Sequence, residues 1–284
     1  MIHNYNITNH HPLAVGGVGG SGTRIVAHIL QELDFYLGED LNKQFDNLWF
    51  TLLFKRKEIL QNSLAEINIL LSIFMKGMIS NEIFTQEEVE LINHLASSAT
   101  NPHPEPWLKE RAKSLLARDN SEREIRSWGW KEPNTHLIIE KLQYSLPKLK
   151  YIHVVRNGLD MAYSRNQNQL KLWGSHFLQQ EYQISPYYSL KYWLKVHQHI
   201  LEVAQLMKDK FLWLNYDELC LNPHKVINQI IEFLELEISS SYRDRLSKLV
   251  KVPDSMGRFK NYKLDVFEPS DVVLVGELGF DNVI

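Results

Sequence analysis

Apolar residues in this chain fall into short unbroken runs separated by longer stretches with helical spacing. Pro12 to Val15 is apolar and ends in glycines, the pattern of a buried strand feeding a turn. Ile25, Ile29 and Leu33, with Val26 and Leu30 alongside, then recur at helical spacing, so the chain starts as strand, glycine-rich turn, helix. Residues 55 to 125 are helical in pattern, as in Glu87-Glu88-Val89-Glu90-Leu91-Ile92, with a break predicted at Pro102, Pro104 and Pro106. Asn134 is placed to cap a helix carrying Ile138, Ile139, Leu142 and Leu146, and Pro147 to stop it. Tyr151 to Val155 is an apolar, β-branched run and reads as a strand. Arg156-Asn157-Gly158 then turns into a helix starting near Leu159. Leu190 to Met207 is amphipathic, with Leu190, Trp193, Leu194, Leu201 and Ala204 on one face. Phe211 to Tyr216 reads as a strand. Asn222-Pro223 supplies a cap and a first-turn proline for a helix from Val226 to Leu234.

Strands alternating with helices predict an α/β fold, a central and mostly parallel sheet flanked by helices. Repeats, low-complexity tracts and Gly/Ser linkers are missing from the pattern, so residues 1–284 are expected to form one domain, with 55–125 as a helical insert. Ligands of such sheets sit at the carboxyl ends of strands. That places functional residues just after Val15, Val155 and Leu214.

Composition narrows the class. The 284 residues suffice for a real core, and 31 Lys+Arg against 34 Asp+Glu give a net charge of −3. With no global basic field, nucleic acid is not an expected partner. The single cysteine, Cys220, cannot form an internal disulfide or a cysteine metal cluster, and it reads as packing. No Asp/His cluster reads as a metal site. Met1 to His11 is polar and lacks the basic start and apolar run of a secretory signal. Ile67 to Ile79 is too short for a bilayer span and carries Asn68 and Lys76, so it reads as a buried helix. The expectation is a soluble, cytoplasmic protein. Trp107, Trp128, Trp130 and Trp173 read as core or interface, although aromatic faces in the helical insert also suit a sugar or an aryl group.

The chemistry starts at Gly16-Gly17-Val18-Gly19-Gly20-Ser21-Gly22-Thr23-Arg24. Glycines bring backbone amides close to an anion, and the following helix adds its positive end. Ser21 and Thr23 offer hydroxyls, and Arg24 a charge. The segment formally matches the dinucleotide fingerprint as Gly17-x-Gly19-x-x-Gly22. It lacks the lysine of an ATP- or GTP-hydrolysing loop. A second signal is Arg156 at a strand end with Ser164 eight residues on, both suited to grip a phosphate. Arg156 is equally placed to pair with Asp160 at the helix start.

Taken together, these segments resemble the PAPS-dependent sulfotransferase superfamily, in its bacterial and tyrosylprotein-like branches. PAPS is 3′-phosphoadenosine 5′-phosphosulfate. The resemblance implies a P-loop-like fold in which Gly19, Gly20, Ser21, Gly22, Thr23 and Arg24 surround the 5′-phosphosulfate. It implies that Arg156 and Ser164 hold the 3′-phosphate. Lys131-Glu132-Pro133 looks like the family's Lys-x-Pro segment, and Tyr216 like the tyrosine near the adenine. Gly257, Arg258 and Lys260 look like the late basic loop that closes over the 3′-phosphate. One departure stands out: many members carry Lys or Arg where this chain has Gly20, so the missing charge falls to Arg24 or Lys131.

The implied activity is transfer of a sulfuryl group from PAPS to a hydroxyl or amine, leaving adenosine 3′,5′-bisphosphate, with no metal in the scheme. Lys131 is expected to neutralise the bridging oxygen. A base is also needed. Glu39 ranks first, Asp40 next and His136 third, with Glu132 a further carboxylate in reach of Lys131 in sequence. The acceptor, whether small molecule, glycan or peptide, stays open. So do two other readings: a nicotinamide or flavin oxidoreductase built on the glycine fingerprint, and a non-catalytic nucleotide-binding protein. The oxidoreductase needs a second strand ending near Glu39 and Asp40, and residues 34–38 are too short and polar for one.

Overall fold

The glycines that end the first apolar run stop a strand, and the structure, a computed structural model, shows the expected strand, turn and helix there. It describes residues 11–119 and 125–280. Residues 1–10 of the polar start and residues 120–124 of the helical stretch lie outside the described residues. In chain order the elements begin with β1 (Leu13–Gly16), α1 (Thr23–Glu32), α2 (Leu48–Phe54), α3 (Leu64–Ile79), α4 (Gln86–Ala96) and α5 (Glu105–Leu116). Next come β2 (Gly129–Lys131), α6 (Ile139–Ser145), β3 (Lys150–Val155), α7 (Gly158–Ala162), α8 (Asn168–Leu178) and α9 (Pro186–Met207). The chain continues through β4 (Phe211–Asn215), α10 (Tyr216–Leu221), α11 (Pro223–Phe233), α12 (Ser240–Ser247) and α13 (Pro269–Glu277). The fold is α/β, a parallel sheet flanked by helices, with strand order β2-β1-β3-β4.

The described residues divide into two compact units, one of those up to 15 and between 30 and 150, the other of 16–29 and those from 151 onward. In the first, β1 pairs parallel with β2, Leu13 facing Gly129 and Val15 facing Lys131. Its core is aromatic: Phe50 stacks on Phe54 at 4.4 Å and on Trp130 at 5.6 Å, and Phe74 meets Trp130 edge-on at 5.4 Å. The expected buried helix is α3, held at its start by a capping box between Ser63 and Glu66. Pro104 precedes α5, while Pro106 falls inside its first turn, where a missing N–H costs nothing. Among the described residues no helix is long and apolar enough to cross a membrane.

In the second unit β3 and β4 pair parallel, Tyr151 opposite Phe211 and Val155 opposite Asn215. α9 begins at Pro186, ahead of the predicted Leu190, because Ser185 caps it by accepting from the Tyr188 amide. Trp128, Trp130 and Trp173 are buried, as is Cys220.

Four local expectations are corrected. Asn134 does not cap α6: the Glu132 carboxylate accepts from the Asn134 amide at 2.6 Å and from its side chain at 2.9 Å. With Pro133 next, the chain makes a tight 3-10 turn, Pro133–Leu137, before α6 starts. On α9, Leu201 is exposed, and the buried stripe runs through Val196, His197, Ile200 and Val203. β4 stops one residue early, because Asn215 accepts from the Glu218 amide and makes Tyr216 the first residue of α10. Asn222 caps nothing with its side chain, which donates to Glu218 instead.

Candidate active site

β1 delivers the chain into the glycine turn. The Ser21 amide closes it by donating to the Val18 carbonyl at 3.0 Å, and the Ile25 amide donates to Gly22 at 3.2 Å to start the helix. α1 therefore opens at Thr23, where the first amides of a helix have no partner within it. Gly19 is half-buried and Gly20 exposed. Gly22 has φ +96°, and a Cβ there would stand 2.1 Å from the ring of Tyr216. Ser21 and Thr23 are buried, and among the described residues the Ser21 hydroxyl has no hydrogen-bond partner. Arg24 is exposed on the first turn of α1.

At the end of β3 the side chain of Arg156 is buried, and its Nη2 donates to the carbonyl of Ser255 at 2.6 Å and to its hydroxyl at 2.9 Å. Its Nε is buried and has no partner among the described residues. Arg258 Nε donates to the same Ser255 carbonyl at 3.1 Å. Burial, and then the neighbouring Arg156 charge, lowers the Arg258 pKa below the ordinary arginine value. Two guanidiniums thus converge on one carbonyl oxygen, with the Asp160 carboxylate 3.6 Å from Arg156. Gly257, with φ +72°, turns the chain into the short 3-10 segment Arg258–Asn261 that carries both Arg258 and the exposed Lys260.

Tyr216 joins the two halves of this site. Its ring packs on Gly22 and lies 5.5 Å from the Arg156 guanidinium. Burial pushes its hydroxyl up to about 12. The next residue, Asp217, accepts from the Asn157 amide at 2.9 Å and so ties the end of β4 to the end of β3.

Ser164 is not in a helix, which corrects its predicted setting. α7 is five residues long and ends at Ala162. The reason is Gln167, whose Nε2 donates to the carbonyls of Met161 at 3.1 Å and Ser164 at 2.8 Å, so a side chain takes over from the next helical turn. Ser164 follows Tyr163, whose ring stacks on Tyr262 just past the late loop, at 4.0 Å.

Apart from Arg24, the predicted catalytic side chains belong to the first unit. Lys131, at the end of β2, is buried; its ammonium donates to the Gln44 carbonyl at 2.9 Å and pairs with Asp46. Glu39 is exposed. Asp40 pairs with Arg111 at 2.8 Å, and Arg111 lies over Trp107, which stacks on His103. Glu132 is buried 3.8 Å from Lys55, and burial pushes its carboxyl up. His136 is buried, its Nδ1 2.8 Å from the Pro133 carbonyl. Among the described residues no group of three or more His, Cys, Asp or Glu is placed to hold a metal.

A family model described as a sulfotransferase domain matches residues 14–254. The chain belongs to the sulfotransferase family. None of the curated proteins compared matches it. Among solved structures, it is similar to the sulfotransferase domain of the Synechococcus PCC 7002 olefin synthase, at 16% identity and TM-score 0.49, covering 99% of both chains. It is similar to sulfotransferase STF1 from Mycobacterium tuberculosis H37Rv at 12% identity and TM-score 0.44, covering 98% of this chain and 78% of that one. It is also similar to retinol dehydratase in complex with androsterone and inactive cofactor PAP, at 13% identity and TM-score 0.40, covering 98% and 82%.

As a sulfotransferase, the chain is an enzyme of the transferase class, and the oxidoreductase and non-catalytic readings are not favoured. Residues 34–38 make no second strand, only an isolated bridge from Tyr36 to Trp128. The family match stops short of Gly257, Arg258 and Lys260. The sequence carries no local signal for Ser255, and for Asp160 it offered only the pairing with Arg156 at the helix start, which the structure shows at 3.6 Å. It also left His103 unmarked, hidden between two prolines.

Proposed function

We propose that this sulfotransferase takes its sulfuryl group from PAPS and delivers it to a hydroxyl or amine. The observation that carries the reading is the convergence of Arg156 and Arg258 on Ser255, joined through Tyr216 to the glycine turn. The residues present fit such a nucleotide. Ser21 Oγ and Arg156 Nε are buried polar atoms lacking a partner among the described residues, and such atoms are costly unless something completes them.

In this reading the turn from Gly19 to Thr23 holds the 5′-phosphosulfate, and Arg156, Ser164, Gly257, Arg258 and Lys260 hold the 3′-phosphate. Tyr216 lies at the adenine. When bound, PAPS supplies a sulfuryl group on a phosphate leaving group. What the chain adds is positioning and fixed positive potential where charge develops. The amides at Gly22 and Thr23 and the Ser21 and Thr23 hydroxyls need no reorganisation to hold phosphate oxygens. Lys131 and Arg24 are assigned the charge absent at Gly20, and Glu39, Asp40 or His136 the acceptor's proton. Residues 55–125 are assigned the shaping of the acceptor site.

Thermal melting with adenosine 3′,5′-bisphosphate, AMP and NADH tests the reading. A ligand at a hundred times its dissociation constant stabilises by about 2.7 kcal/mol, a rise of roughly 5 °C for a chain of this size. The bisphosphate is expected to produce that rise and AMP a smaller one, and Arg156→Ala is expected to abolish the difference. A rise with NADH alone would overturn the assignment.

A further inference from the structure

Asp160 is fully buried on α7, one turn after Arg156. Its backbone is set by the helix cap, since Asn157 accepts from the amides of Leu159 and Asp160. Its carboxylate reaches outward to a distant part of the chain. Oδ2 accepts from the Gly257 amide at 2.7 Å, and Oδ1 from the Phe259 amide at 3.1 Å. Oδ2 also lies 3.6 Å from Arg156 Nη2. A buried carboxylate is costly unless paired and hydrogen-bonded. Here the partners are two amides of the late basic loop and the guanidinium that loop faces.

Other contacts fasten the same loop. The Ser255 carbonyl receives both Arg156 and Arg258. Beyond the loop, the Tyr163 hydroxyl donates to the Lys263 carbonyl at 3.1 Å.

We propose that Asp160 is a positioning residue that pre-assembles the 3′-phosphate clamp, fixing the Ser255–Lys260 loop against Arg156 before the nucleotide arrives. The proposal rests on the PAPS reading and adds a source of selectivity to it. A formed site spares the ligand the ordering cost of a loop that must fold over it, and the saving goes only to nucleotides that carry a 3′-phosphate. A simpler role predicts the opposite result. If Asp160 only offset the Arg156 charge, it would repel phosphate, and neutralising it would tighten binding.

Asp160→Asn separates the two, because it keeps the shape and removes the charge and one acceptor. The expected result, by titration calorimetry, is a loss of roughly tenfold or more in affinity for adenosine 3′,5′-bisphosphate, with AMP affinity unchanged. Hydrogen exchange on the unaltered protein gives a second measurement that does not depend on the variant folding. The Gly257 and Phe259 amides are expected to be protected without nucleotide and to change little when the bisphosphate is added. Unchanged or tighter bisphosphate binding by the variant overturns the proposal. So do amides that exchange freely until the bisphosphate is added. An unaltered protein that does not prefer the bisphosphate to AMP overturns the PAPS reading itself.

Discussion

A methyl group added at Gly22 would stand 2.1 Å from the Tyr216 ring, on a backbone with φ +96°. Left-handed backbone costs an L-residue about 1–2 kcal/mol, and overpacking typically adds about 1–3 kcal/mol. Gly22→Ala is therefore expected to lower the melting temperature by several degrees and to remove most bisphosphate binding. At Gly19 the same methyl meets Gln169 at 3.6 Å, an ordinary contact. Gly19→Ala is expected to melt near the parent, and equal behaviour of the two variants would show that Tyr216 does not constrain the turn. Residue identity made Gly22, Ser21 and Arg156 legible as an anion site, because glycine, hydroxyl and guanidinium each suit an oxyanion locally. The same letters gave no sign that Tyr216 fills the space above Gly22, because their contact spans almost two hundred positions.

At the scale of elements, caps decided the boundaries. Ser63 starts α3 by accepting from the Glu66 amide, while its own amide and hydroxyl both donate to the Glu66 carboxylate. Ser63→Ala is expected to cost about 1 kcal/mol in urea unfolding, with bisphosphate binding unaltered. A loss below the error of the measurement would mean that packing, not the cap, sets the start of α3. The corrected boundaries share one cause. At Glu132, Asn215 and Gln167 a side chain took a backbone hydrogen bond that the apolar pattern had assigned to a regular element. Periodicity sees which face is buried and is blind to that competition. Leu201 shows the converse limit: either it or Ile200 satisfies a helical stripe, and packing chose Ile200.

For the molecule as a whole, the buried ionisable groups make stability depend on pH. Burial, then the nearby Lys55 charge, lowers His103 from 6.5 to about 4. Between these values the unfolded chain binds a proton that the folded chain does not. The contribution of His103 is full above pH 6.5 and is lost as pH falls towards about 4. Glu132 acts in the opposite sense. Its carboxyl is raised, so its contribution is full below the ordinary value of 4.5 and is lost as pH rises through the raised one. The comparison that isolates His103 is a series of urea unfolding curves for the parent and His103→Gln. The variant is expected to lose less stability than the parent between pH 6.5 and 4, and parallel curves would show that His103 is not held neutral.

By itself the sequence determined strands β1, β3 and β4, though not β2, together with the α/β class and the glycine turn and Arg156 at strand ends. Those follow from apolar period and from residue chemistry, which act over a few neighbouring positions. Only the tertiary structure decided that Arg156 meets Ser255, 99 residues away, and that Asp160 holds Gly257 and Phe259. No local pattern encodes such pairings. They exist because burying α7 leaves a carboxylate and a guanidinium that must be paired once water is excluded, and the amides and carbonyl of the late loop are the groups that packing brings to them.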